Sequence, residues 1–191
     1  MGKSFVMSSI EINFVPIQKR LELDTVIKPF ESEDDELNDF LLEDAKNYLT
    51  QMLAVTYLIE NDTDTIAYFC ISNDNLKREI ATNLSELEKT VWNQLSRKIP
   101  NRKRRGSYPA VKIGRLAVNK KYEGKGFGRI LINAVRSMYL EGNQRSGCRF
   151  ITVDANANAF SFYEKNGFCF ITDKDADRKN RAMYFDLKAT Q

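Results

Sequence analysis

The sequence predicts a single α/β domain covering residues 1–191. Short runs rich in β-branched and aromatic residues alternate with longer stretches whose apolar residues recur at helical spacing. Turn-forming residues separate these runs, and no repeat, low-complexity tract or linker interrupts the series. At 191 residues and 42% hydrophobic, the chain is long and apolar enough to build one full core.

The elements follow in order. Ile10 to Val15 alternates loosely and is expected to be a first strand. Residues 33–53 place Leu37, Phe40, Leu41, Ala45, Tyr48, Leu49 and Met52 on one stripe, which is helical spacing. The acidic run Glu31 to Glu36 stands before that helix, where the N-terminus favours negative charge. Val55 to Ile59 and Thr65 to Ser72 flank Asn61-Asp62-Thr63-Asp64 and read as a hairpin. Residues 77–98 return to helical spacing through Ile80, Leu84, Leu87, Val91 and Leu95; Pro100 ends that helix and a basic loop runs to Gly106. Val111 to Val118 is a strand, and Phe127, Ile130, Leu131, Ala134, Val135 and Met138 mark a long amphipathic helix. Phe150 to Val153 is a strand. Residues 158–165 form a short helix that ends at Asn166-Gly167, a left-handed cap. Phe168 to Ile171 and Met183 to Leu187 complete the strands.

Composition narrows the chemistry. The chain has no histidine, which excludes Ser-His-Asp and Cys-His nucleophilic catalysis and His-rich zinc sites. Acid–base work falls to carboxylates, Tyr, Lys, Cys, water or the substrate. Cys70, Cys148 and Cys169 make no metal or redox motif and read as reduced, buried thiols, so no metal site is expected. No segment approaches the roughly 20 apolar residues of a membrane span. No signal-peptide pattern opens the chain. A cytoplasmic protein with no membrane contact is therefore expected. The net charge of +3 is too small to imply a polyanion partner, but Arg97, Lys98, Arg102, Lys103, Arg104 and Arg105 cluster.

The turn Gly124-Lys125-Gly126-Phe127-Gly128-Arg129 lies between the strand ending at Val118 and the long helix. The first N–H groups of a helix lack internal partners, and the helix dipole adds partial positive charge there. Glycines at 124, 126 and 128 let backbone amides approach a small anion, and Lys125 and Arg129 add charge. The turn lacks the Gly-Lys-Ser/Thr ending of a P-loop, and no acidic ribose partner follows about 20 residues on. Alone, it reads equally as a phosphate cradle or as an ordinary helix start.

A second motif follows: Asn156-Ala-Asn-Ala159-Phe-Ser-Phe-Tyr163-Glu-Lys-Asn-Gly167-Phe168. Together, in this order and spacing, the two motifs resemble the GNAT superfamily of N-acetyltransferases. That superfamily carries an Arg/Gln-x-x-Gly-x-Gly/Ala turn and then an Asn-x-x-Ala-x-x-x-Tyr-x-x-x-Gly-Phe segment. The resemblance is clear from Pro109 to Ile171. It implies an α+β form of the fold, with a mixed, largely antiparallel central sheet and helices on both faces. It also implies acetyl-CoA as acetyl donor and coenzyme A as product. One position departs: Glu123 stands where Arg or Gln is usual, and its carboxylate is expected to turn away from a pyrophosphate.

The resemblance implies roles. Backbone groups of Leu116, Ala117 and Val118 would meet the pantetheine arm and the acetyl carbonyl. Gly124, Lys125, Gly126, Phe127, Gly128 and Arg129 would hold the pyrophosphate. Asn156 would hydrogen-bond the arm, and Phe162 and Lys165 would line its exit. The acceptor amine would attack the thioester directly, without a covalent enzyme intermediate. Tyr163 would be the general acid, a phenol of ordinary pKa about 10 giving its proton to the leaving thiolate. For the base, an ordered water is preferred over Asp154 or Glu60.

The expected reaction is acetyl transfer to a primary amine of a small molecule, peptide or protein. Leu37-Asn38-Asp39-Phe40-Leu41, the strand Ile113 to Val118 and the pair Phe162-Tyr163 are also similar to toxin-type members of the superfamily. Those acetylate the amino group of aminoacyl-tRNA and are neutralised by an antitoxin. The basic run Arg97 to Arg105 would suit an RNA backbone. A tRNA acceptor, an antitoxin partner, a homodimer, and a non-catalytic acetyl-CoA- or RNA-binding module stay open as alternatives.

Overall fold

The structure, a computed structural model, describes residues 18–77, 86, 89, 92, 93, 107–141 and 146–190. Among the described residues seven strands form one sheet. They are β1 (Lys19–Arg20), β2 (Val55–Glu60), β3 (Thr65–Lys77), β4 (Ser107–Val118), β5 (Phe150–Asn156), β6 (Cys169–Phe170) and β7 (Asn180–Asp186). Their order is β1-β2-β3-β4-β5-β7-β6. Every neighbouring pair is antiparallel except β4 and β5, which run parallel. A parallel pair needs a crossover, and helix α2 (Phe127–Glu141) supplies it. The sheet is thus mixed and largely antiparallel, as the resemblance implies.

Alternation along the strands sorts side chains to two faces. On the first face Phe69, Ile71, Val111, Ile113, Ile151, Val153, Met183 and Phe185 form the main core with Leu131, Ile132 and Val135 of α2. Helix α3 (Phe160–Lys165) adds Tyr163 to this cluster. On the second face Leu58, Tyr68, Cys70 and Ala117 pack under helix α1 (residues 35–50) through Phe40, Leu41 and Ala45. A third cluster on that face gathers Leu76, Trp92, Ala110, Phe150 and Tyr184. Helices therefore cover both faces.

Helix α1 runs through Asp35–Asp39, a π-helical turn at Phe40–Asp44, and Ala45–Thr50. Asp34 caps its start by accepting from the Glu36 N–H. The widened turn has a visible cause. The fully buried Tyr68 donates its hydroxyl proton to the Leu37 carbonyl at 2.7 Å, so a side chain enters the helical ladder. The helix ends in a Schellman arrangement, with Met52 N–H on the Leu49 carbonyl and Leu53 N–H on the Tyr48 carbonyl. Met52 fills the left-handed position at φ 55° with its side chain 92% exposed.

Several expectations shift. The strand expected at Ile10 to Val15 lies outside the described residues. The edge strand present, Lys19–Arg20, is polar, so hydrophobic alternation did not mark it. Strand β3 continues to Lys77, so the following helix starts later than residue 77. Residues 86, 89, 92 and 93 are helical, and the other residues over which the sequence predicts that helix, with the segment to Gly106 that it predicts as a basic loop, lie outside the described residues. The extension of β3 pairs Leu76 with Tyr108, long-range pairing that a local pattern does not carry. The thiols also differ: Cys70 is buried, Cys148 half-buried and Cys169 exposed on the short outer strand β6. Among the described residues, no helix is long and apolar enough to cross a membrane.

Candidate active site

The site begins where two strands part. Strands β4 and β5 pair from Ala110↔Phe150 to Ile113↔Val153 and no further. Beyond that point the register of β4 against β3 slips: Ile71 faces Ile113, Cys70 faces Arg115, and Gly114 is the extra residue. Such a bulge bends a strand. It turns Leu116, Ala117 and Val118 away from β5, leaving their backbone without a strand partner on that side.

The chain then makes a well-anchored turn. Asn119 donates its backbone N–H to the Ile66 carbonyl at 2.8 Å and its side-chain amide to the Thr65 carbonyl at 3.1 Å. Tyr122 donates its hydroxyl to Asp64 Oδ2 at 3.0 Å and accepts from Asn61 Nδ2 at 2.7 Å. Lys121 Nζ reaches Asp64 Oδ1 at 2.8 Å. The Lys121 ammonium, with further hydrogen bonds from Thr63 and Tyr122, holds the Asp64 carboxyl below its ordinary pKa. The β2–β3 turn thus fixes the segment that leads into the glycines.

Gly124 and Gly126 take φ values of +70° and +85°, the left-handed region that side chains resist. Helix α2 starts at Phe127, so its first amides face the open side of the turn. Gly128 is small for another reason. A Cβ there would lie 3.0 Å from Phe162 Cε2, so the ring of α3 rests on the helix backbone.

These parts enclose a groove of about 570 Å³. Leu116 and Val118 form one wall, the glycine turn with Phe127 and Arg129 a second, and Ala159, Phe162, Tyr163, Lys165 and Asn166 a third. Such a volume is in the range of small-molecule sites. Arg129 has no ion-pair or hydrogen-bond partner among the described residues, leaving its guanidinium available to an anion.

Tyr163 is 6% exposed, and its hydroxyl makes no hydrogen bond among the described residues. Burial pushes its phenol above the ordinary tyrosine range, so it stays protonated at neutral pH. The end of α3 fixes its place. Phe168 N–H bonds the Tyr163 carbonyl at 3.0 Å, Gly167 N–H bonds the Glu164 carbonyl at 2.8 Å, and Gly167 takes φ +80°. This is a second Schellman cap, here with the expected glycine. Arg136 of α2 donates to the Asn166 carbonyl, joining the two helices.

The Acetyltransferase (GNAT) domain family matches residues 53–169 of the chain. The chain belongs to the GNAT acetyltransferase family. Its activity is N-acetyl transfer, with acetyl-CoA as the family's donor. No curated protein sequence matches it. Its fold is similar to that of solved GNAT toxins. A tyrosine-to-phenylalanine mutant of KacT is 22% identical, with a TM-score of 0.67, over 86% of this chain and 89% of that one. AtaTR bound with AcCoA is 19% identical, with a TM-score of 0.70, over 90% and 94%. AtaT complexed with acetyl-methionyl-tRNAfMet is 21% identical, with a TM-score of 0.67, over 84% and 87%.

The GNAT groove gathers most of the residues singled out in the sequence, but three stand apart. The Ala117 side chain is buried in the second-face cluster, which leaves only its backbone near the groove. Lys125 turns back: its Nζ donates to the Lys121 carbonyl at 3.0 Å and lies 4.9 Å from the Tyr122 ring centroid. Asn156 caps the 3-10 turn Ala157–Ala159 by accepting from the Asn158 N–H. Glu123, expected to turn away, is on the groove wall. Tyr122 and Asn166 line the groove without having been singled out. Tyr122 is legible only through its contact with Asp64, 58 residues earlier. Asn166 is legible in the sequence only as part of the Asn-Gly cap. Among the described residues, no group of three or more His, Cys, Asp or Glu stands where it could hold a metal.

Proposed function

We propose that this chain is a cytoplasmic acetyltransferase of the toxin type, moving acetyl from acetyl-CoA to the α-amino group of aminoacyl-tRNA. The observation that carries the acceptor is the likeness to AtaT complexed with acetyl-methionyl-tRNAfMet, which extends over 84% of the chain. The opening Leu37-Asn38-Asp39-Phe40-Leu41 and the basic run Arg97 to Arg105 are in keeping with it. A partner of the antitoxin kind is part of this reading, since AtaT is also known bound to the C-terminus of the antitoxin AtaR.

In this reading the groove fits the coenzyme. Gly124, Gly126 and Gly128 present amides to the pyrophosphate at the start of α2, and Arg129 adds charge. Lys125 serves only if it swings from Tyr122. The unpaired backbone at Leu116, Ala117 and Val118 meets the pantetheine arm and the acetyl oxygen. Phe162 and Lys165 line the way out, and Asn156 shapes the turn beneath the arm. Tyr163, protonated and largely buried at the groove wall, gives a proton to the leaving sulfur. Exclusion of water also favours the protonated form of the thiol.

The test is direct. The purified protein is incubated with acetyl-CoA and charged total tRNA, the aminoacyl ester is hydrolysed, and released N-acetyl amino acids are measured by mass spectrometry. Their appearance, dependent on the protein, is expected. Acetylation of free amines or lysine peptides with charged tRNA untouched overturns the acceptor assignment.

A further inference from the structure

The groove opens on the first face of the sheet, yet the strands part through its full thickness, and the second face carries its own side chains at that gap. Asp154 is the first β5 residue beyond the last β4–β5 pair, Ile113↔Val153. Val153 points into the first-face core, so Asp154 points to the second face. Lys112, between the core residues Val111 and Ile113, does the same. The two side chains meet: Lys112 Nζ lies 2.5 Å from Asp154 Oδ2, and they are 36% and 58% exposed.

The other charged groups of this strip are engaged. Asp74 accepts from the Thr152 hydroxyl. Arg115 donates to Glu36 Oε1 at 3.0 Å and to the Gly114 carbonyl at 3.0 Å, and lies 5.1 Å from the Phe40 ring centroid. Across from Asp154, β7 presents Ala182. Glu60 is on β2, two strands from the gap, and is held by Lys19 and the Thr65 hydroxyl. Asp154 is therefore the carboxylate at the gap whose partner is a partly exposed lysine.

We infer that Asp154 is the acceptor's docking carboxylate and proton acceptor, and that Lys112 occupies its place until the acceptor arrives. At neutral pH an acceptor amine is an ammonium, fully for a lysine or polyamine and in part for an α-amino group, and the ammonium is the same chemical group as Lys112 Nζ. When it binds Asp154 from the second face, Lys112 is moved aside but stays near. Two ammonium groups then share one carboxylate, which favours loss of a proton from the one at the gap. That proton passes to Asp154 and on to water. The freed nitrogen attacks the thioester carbon through the gap, a carbon–nitrogen bond forms and the carbon–sulfur bond breaks. The sulfur gains a proton from Tyr163, and the second nitrogen proton restores the phenol. The sum is amide, thiol and one released proton. The inference needs an amine acceptor of any kind and does not rest on tRNA.

An exposed ion pair contributes little to stability, so variants here should fold. Acetyl-CoA thermal shifts check that Asp154→Asn and Lys112→Met keep the coenzyme site. The acceptor is whichever of charged total tRNA, spermidine or a lysine peptide the wild type acetylates. Its equilibrium binding is measured with desulfo-coenzyme A present. Asp154→Asn should weaken amine binding about tenfold and lower kcat/KM about 10²-fold at pH 7, with the loss shrinking toward pH 9 as the amine deprotonates unaided. Lys112→Met should tighten amine binding while lowering kcat at pH 7. A pair that is only structural predicts neither the opposite binding shifts nor the pH-dependent rescue. Unchanged amine binding in Asp154→Asn, or an equal loss of activity at every pH, overturns the inference.

Discussion

The rings of Tyr163 and Phe168 meet edge to face, with centroids 5.3 Å apart. The same two residues are joined through the backbone, Phe168 N–H to the Tyr163 carbonyl at 3.0 Å. A six-residue helix is marginal alone. This double connection holds it, and with it the phenol, at the groove.

Tyr163→Phe keeps the ring and its contact with Phe168. It should lower turnover by about 10²-fold while acetyl-CoA affinity stays within about twofold. Single-turnover rates and coenzyme titration separate the two quantities. Wild-type turnover in the variant would remove the phenol from the chemistry.

Gly167→Ala should cost about 1–2 kcal/mol of stability, from the left-handed backbone alone. The new Cβ would also lie 3.2 Å from Phe185 Cε2. Calorimetry reads the lowered Tm. Activity of the folded fraction should fall too, because the cap positions Tyr163.

Arg129 and Lys125 differ in the structure, one free at the groove wall and the other turned onto Tyr122. Arg129→Ala should weaken acetyl-CoA about tenfold, in line with loss of a charge-assisted hydrogen bond, and Lys125→Ala much less. Glu123→Gln removes a like charge from the coenzyme's surroundings and should tighten binding. Titration of the three variants at two salt concentrations decides the order.

Asp64 governs acid stability at the base of the turn. Its folded pKa lies below the ordinary value of about 4, so near that pH the unfolded chain binds more protons. The Lys121–Asp64–Tyr122 contribution is thus present above about pH 4 and is lost as pH falls through the folded pKa. Asp64→Asn should show a shallower fall of Tm between pH 5 and pH 3 than the wild type. Parallel curves would deny Asp64 this part.

The sequence made the fold's local units readable and its long-range geometry hard to see. Helical stripes, the hairpin at Asn61 to Asp64, and the Asn166-Gly167 cap all follow from neighbours in the chain. The glycine turn and Tyr163 were readable as motifs. The split between β4 and β5 was not, because it depends on where a parallel pairing stops, 40 residues apart in sequence. Nor was the face to which each residue points: Ala117 sits between two groove residues and packs the opposite way. Lys125 looked like an anion ligand by position, while its side chain found a carbonyl and a ring nearer by.

Met52 closes helix α1 in a backbone shape that glycine adopts freely and methionine resists. Its side chain gains almost nothing in return, since it stands in solvent. The protein therefore holds unused stability at this one residue. Met52→Gly is a route to a hardier enzyme that leaves the groove, the glycine turn and the gap between the strands untouched.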